Sequence, residues 1–203
     1  MKTLVFFIII LSQSCYSQLE EFNSASSKTD KRLMLGLGSW ASANMIGGAI
    51  GWATAPNEEM KSFHQMNLMW NTVNLGLAIP GYIKAKRANN KLGISETLEE
   101  QRRKETIFLI NGGLDIAYIS SGLILKSEAK SNLEKRNLFN GYGNSLLIQG
   151  GFLLVFDWVA YSIHRKRSKN KLSPLLERIE LSDNGLGFKL KLDSMQKVRA
   201  DAL

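Results

Sequence analysis

The chain has 203 residues, 44% of them hydrophobic, and its 26 Lys and Arg against 18 Asp and Glu give a formal charge of +8. That length holds one compact domain without requiring a second, and the lone cysteine, Cys15, excludes an internal disulfide or a cysteine-based metal cluster. The average composition suits a soluble protein, but the apolar residues are gathered into long runs with the basic residues between them. The charge therefore reads as membrane flanks and contact with anionic lipid, and no fold motif supports nucleic-acid binding.

Residues 1–17 have the layout of an export signal: one lysine, an apolar run from Leu4 to Leu11 too short to span comfortably, then small polar residues. Cleavage is expected after Ser17, with Cys15 and Ser17 at the minus-three and minus-one positions. Lipidation at Cys15 is disfavoured, because Ser12 stands where such a site wants an aliphatic residue. Residues 18–32 read as an exposed segment.

Four apolar stretches follow within 33–171: Leu33 to Ala53, Phe63 to Ile83, Thr106 to Leu125 and Gly141 to Ile163. Each is near the ~20 residues that cross ~30 Å of hydrocarbon as a helix. The short connector "TAPNEEMKS" makes the first two a tight antiparallel hairpin, and "KSEAKSNLEKRN" joins the second pair. Glu58 and Glu59 in the first connector read as solvated or as support for a helix start. Pro174 is expected to end the fourth helix. Residues 172–192 read as a β-hairpin appendage around Asp183-Asn184-Gly185, with Ile179 and Leu181 on one arm and Phe188, Leu190 and Leu192 on the other. Residues 193–203 read as a frayed tail. The expected fold class is all-α, four transmembrane helices as two antiparallel hairpins, with a small C-terminal β-hairpin.

Orientation is in conflict. Four crossings put fifteen Lys and Arg on one side, within Lys28 to Arg32, Lys84 to Lys104 and Arg165 to Lys171. The other side has five: Lys61, Lys126, Lys130, Lys135 and Arg136. The positive-inside rule places the first side in the cytoplasm, whereas a cleaved export signal places it outside.

The polar residues inside these stretches are ordered. At 100 degrees per residue, His64, Asn67, Asn71, Asn74 and Ala78 share one arc, opposite Met66, Met69, Val73, Leu77 and Pro80. On the first helix Gly36, Trp40, Ala43, Asn44, Gly47 and Gly51 share a face, Gly47 and Gly51 making a small-residue packing pattern. Matching midpoints across the hairpin sets Asn44 facing Asn71 and Asn74. Asp115 lies at the centre of the third stretch with Asn111, Tyr118 and Gly122 on its face; a charged Asp there costs ~2.5–3.5 kcal/mol on insertion scales. Gly143, Gly150 and Asp157 recur every seven residues along one face of the fourth helix, and matching the midpoints of the third and fourth helices puts Asp157 near the depth of Asn111. The polar-core candidates are Asn44, His64, Asn67, Asn71, Asn74, Asn111, Asp115 and Asp157. Interhelical hydrogen bonds that fix which faces meet are the plainer reading; a proton relay or a site for a small polar ligand is the sharper one.

At "LGSWASANMIGG", "FHQMNLMWNTVNLGLA" and "YGNSLLIQGGFLLVFDW" the chain resembles an uncharacterised family of small multi-helix bacterial membrane proteins, a domain of unknown function, over residues 30 to 165. The resemblance implies a membrane location and no reaction. HExxH, Walker, GxSxG and cysteine-cluster signatures are absent, so no catalytic residue, metal or cofactor is assigned and no enzymatic reaction is disclosed. The expectation is an inner-membrane protein with a structural or interaction role, its partners the bilayer, anionic lipid at the basic flanks, and a second copy or another membrane protein. The alternative is a small transporter or proton-linked channel.

Overall fold

The computed structural model describes residues 2–177, 179–182 and 185–188. Four long helices carry the fold: α1 (Lys2–Thr54), α2 (Glu58–Lys86), α3 (Ile94–Ser131) and α4 (Arg136–Arg167). Each runs beyond its apolar stretch into charged sequence, because Glu, Lys and Arg are good helix formers and the flanks hold no breaker. The α1–α2 turn shrinks to Ala55–Asn57. Asn57 caps α2 by accepting from the Met60 N–H at 2.9 Å, and Glu58 and Glu59 fall in the first turn, where the helix dipole favours anions. At the start of α3 the Gly93 N–H donates to Glu96 Oε2 at 3.0 Å.

α1 pairs with α2 and α3 with α4, and the two hairpins are joined chiefly along α2 and α4. Backbones touch at glycines. A Cβ on Gly141 of α4 would lie 2.7 Å from the Phe63 nitrogen of α2, and one on Gly48 of α1 would lie 3.1 Å from the His64 carbonyl. The intimate face of α1 is therefore Leu37, Ala41 and Gly48, all buried. Of the face expected from sequence, Trp40, Asn44 and Gly51 do turn to neighbouring helices, whereas Gly36 and Gly47 have open space around them.

The bundle is inverted relative to a water-soluble one. Asn71, Ser145 and Gln149 are fully buried, while Val73, Leu77 and Val155 are 60–65% exposed. Monomers in water do not leave that much apolar surface bare. α1, α3 and α4 are long and apolar enough to cross a membrane. α2 is not among these, because its inward amides lower its hydropathy, although its outer face carries Met69, Val73, Leu77, Ile79 and Ile83.

The expected fold class is thus corrected. The fold is all-helical, and three of its four long helices, not four, meet the requirements of a span. Among the described residues no β-hairpin domain belongs to it. Ile179–Ser182 and Gly185–Phe188 are two short extended segments that pair antiparallel, Ile179 opposite Phe188, and their main outside contact is the adjacent helical turn. Leu190, Leu192 and the tail 193–203 lie outside the described residues.

Pro174 does not end the helical path. After α4 a π-helical turn, Ser168–Leu172, leads into α5 (Ser173–Leu176), where Pro174 sits in the first turn and needs no N–H partner. This extension packs Leu172 and Leu175 on Leu19 and Phe22 of α1, with Ile94 and Leu98 of α3 alongside. Residues 18–32 are helical and bury Leu19, Phe22, Asn23 and Ser26 where the sequence suggests an exposed segment.

Candidate functional site

The polar core begins on α2. Its buried face is Ser62, Asn67, Asn71, Asn74, Ala78 and Ala85, the three- and four-residue spacing that lines up side chains on one side of a helix. Asn74 Nδ2 donates to Asn71 Oδ1 at 3.2 Å, and Asn71 Nδ2 donates to the Asn67 carbonyl at 2.8 Å and to Asn67 Oδ1 at 3.3 Å. Asn67 Nδ2 then crosses to α1, donating to Asn44 Oδ1 at 3.1 Å. Asn44 therefore meets Asn67, one turn from the expected Asn71 and two from the expected Asn74. The register is set by the close approach at Gly48 and not by matched midpoints.

The centre of the network is a residue outside the candidate set. Gln149 of α4, fully buried, donates to Asn67 Oδ1 and to Asn44 Oδ1, the latter at 3.4 Å, and accepts from Trp40 Nε1 at 3.0 Å. The chain Trp40–Gln149–Asn44–Asn67–Asn71–Asn74 thus ties three helices. None of these side chains leaves a buried polar atom without a partner. The sequence signal was available, since Gln149 is an amide inside an apolar run, next to Gly150 on the packed face.

Asn111, Asp115 and Asp157 form a second cluster, at the α3–α4 contact. Gly150 permits it: a Cβ there would lie 3.2 Å from the Asp115 carbonyl. The carboxyls of Asp115 and Asp157 adjoin, with Asn111 beside Asp157. Both are buried, neither forms an ion pair among the described residues, and Asp115 Oδ2 has no hydrogen-bond partner. One turn on, Tyr118 meets Trp70 of α2 edge to face at 4.6 Å.

His64 belongs to neither cluster. Its ring fills the space left by Gly51 and stands edge-on to Phe63 at 5.1 Å, with Nδ1 buried and unpartnered.

A third polar layer, not anticipated from sequence, closes the basic end. Asp30 Oδ2 lies 2.6 Å from Lys104 Nζ and Oδ1 lies 2.9 Å from Nε2 of the fully buried His164. Burial alone would raise the Asp30 carboxyl, but the His164 hydrogen bond and the Lys104 charge outweigh it and hold Asp30 below its ordinary range. Lys104 also donates to Ser26 Oγ at 2.9 Å, Arg167 donates to Thr29 Oγ1 at 2.6 Å, and Arg165 pairs with Glu105 at 3.2 Å. At the opposite end Glu59 accepts from Asn140 at 3.3 Å and Asn144 at 3.5 Å, a bridge between α2 and α4. Among the described residues no group of His, Cys, Asp and Glu could hold a metal ion.

Compared with known proteins, residues 36–158 match the model of a family described as a family of unknown function, DUF6992. The match spans well over half of the chain and takes in the amide network and the carboxyl cluster. No curated protein matches the chain. No solved structure matches it either.

Proposed function

The chain belongs to DUF6992, and for this member of a family of unknown function we propose an integral membrane protein whose polar core is an assembly device, with a structural or interaction role. One observation carries this reading: the amide chain is saturated by itself, every buried donor and acceptor of Asn44, Asn67, Asn71, Asn74 and Gln149 being used within the bundle. Interhelical bonds of this kind are worth about 0.6 to 2 kcal/mol each in membranes, and they select which faces meet. In this reading the amides of α2 turn to α1 and α4 and its apolar face to lipid. An inner-membrane location and an export signal removed after Ser17 belong to the same proposal; the cut would leave Leu19 and Phe22 in the fold.

A proton-linked channel or transporter is the second reading, and the unpartnered Asp115 Oδ2 beside Asp157 favours it. Two carboxyls in contact in apolar surroundings are relieved by one shared proton, a group that can exchange. Asp115→Asn reconstituted in liposomes separates the readings. The assembly role predicts no pH-driven flux from either protein. Flux in the wild type that Asp115→Asn abolishes, with the fold intact, would replace it with the transport reading.

A further inference from the structure

The end of the bundle away from Asp30 carries an open groove of about 680 Å³ between the last turns of α3 and the first turns of α4. Lys126, Lys130 and Arg136 line it, Asn140 joins them, and Leu123 and Leu147 lie deeper along the two helices. No carboxylate is among the lining residues. Glu59 of α2, which reaches Asn140, is taken up by that amide and by the amide of Asn144. Lys126, Lys130 and Arg136 form no ion pair among the described residues, whether with Glu128 and Glu134 or with any other acid.

The cations are held in place without being neutralised. The stem of the half-buried Lys126 lies against the packed face at Gly143, and its Nζ donates to Asn144 Oδ1. Arg136 Nε donates to the Ala129 carbonyl at 3.4 Å, which draws the guanidinium across to α3. Both acceptors are neutral, so neither bond removes positive charge from the groove.

The start of α4 adds to the imbalance. A helix start carries partial positive charge and favours acidic residues. α4 instead opens on Lys135 and Arg136, with no acidic residue in its first turn and no side chain capping it. The groove thus gathers three side-chain cations at the positive end of a 32-residue helix, and an anion bound there relieves both.

The wall is apolar farther in. Leu123 is 57% exposed one turn inward from Lys126, and Leu147 continues the apolar wall on α4. A soluble phosphate would satisfy the cations and leave this wall in water, whereas a lipid matches the cations with its headgroup and the wall with its chains. We propose that the groove holds an anionic phospholipid, its phosphate on Lys130 and Arg136 at the start of α4 and its acyl chains running inward past Leu123 and Leu147. The proposal rests on the membrane reading given under the proposed function.

The test uses the full chain purified in maltoside detergent, with lipid binding measured by native mass spectrometry. The probes are phosphatidylglycerol, which carries a net negative charge, phosphatidylcholine, which carries none, and glycerol phosphate, which has the headgroup without the chains. Phosphatidylglycerol should bind about tenfold or more tightly than phosphatidylcholine, and Lys130→Gln with Arg136→Gln should weaken it about tenfold or more. Lys84→Gln with Arg87→Gln, at the opposite end, should leave that affinity unchanged. Lys130 and Arg136 are exposed, so the first variant keeps its fold, which an unchanged thermal midpoint verifies. Equal affinity for the two lipids, or equal loss from the two variant pairs, overturns the proposal. Displacement of phosphatidylglycerol by an equal concentration of glycerol phosphate overturns the lipid assignment in favour of a soluble ester. Alkaline carbonate extraction of membranes holding the chain separates the two failures. Release of the protein defeats the membrane reading and this site with it; retention without a lipid preference defeats the site alone.

Discussion

Replacing Gln149 by Leu tests whether the amide network holds the bundle together. The two side chains are close in volume, so packing is nearly kept while three hydrogen bonds vanish: those to Asn67 and Asn44, and the one from Trp40. At about 0.6 kcal/mol for an average interhelical bond in a membrane protein the loss is roughly 2 kcal/mol. The stranded Trp40 N–H adds about 1 kcal/mol where it finds no other acceptor. Asn74→Leu is the internal reference. Asn74 ends the chain and donates one bond, to Asn71, so its loss is about 0.6 kcal/mol. Equilibrium unfolding of the purified protein in mixed micelles gives both values. Gln149→Leu should be the less stable by about 1.5 to 2.5 kcal/mol. If Gln149→Leu matches the wild type, or Asn74→Leu is the worse of the two, the network does not hold the bundle and the assembly reading fails with it.

Glycines divide into those that must be glycine and those that need not. Gly141→Ala drives a methyl into the α2 backbone and should cost about 1–3 kcal/mol or more, whereas Gly47→Ala meets nothing and should gain a few tenths to about 1 kcal/mol of helix propensity; thermal unfolding of the two variants reads the contrast. Asp30 sits beyond the spans and faces Lys104, His164 and Arg167. Because its folded value is lowered, its stabilisation is complete above the ordinary value of 3.8 and is lost as pH falls through the lowered value. The thermal midpoint of the wild type should exceed that of Asp30→Asn at neutral pH, and the gap should close in acid; a gap that widens in acid would falsify the pairing. A cysteine at the exposed Asn89, in a Cys15→Ser background, reports orientation through an impermeant thiol reagent. Labelling in spheroplasts supports the export signal, and protection supports the positive-inside rule.

Much of the polar core was legible because helical periodicity is strict. Asn67, Asn71 and Asn74 fall on one face from spacing alone, and the seven-residue recurrence of Gly143, Gly150 and Asp157 marks the face of α4 that is buried. What spacing does not supply is the axial register between helices. The Asn44 partner lies one to two turns from the place that matched midpoints give it, because sliding one helix along another changes no residue's face and only the contact at Gly48 fixes the depth. Gln149 is not marked by spacing, because Gly143 and Gly150 define a face and it lies one residue off their repeat. The Asp30–Lys104–His164 layer joins three charged flanks distant in sequence, which as isolated strings look like solvated ends.

The divided character of α2 has a consequence for how the chain is made. In the membrane reading proposed above, a helix whose inward face is amide does not settle in lipid by its own hydropathy and needs α1, which offers Asn44 and little more. Asn67 is satisfied in full only when Gln149 arrives, after the long connector and all of α3 have been synthesised. Until then the amide face of α2 is only partly matched, and the bundle cannot close before α4 is made.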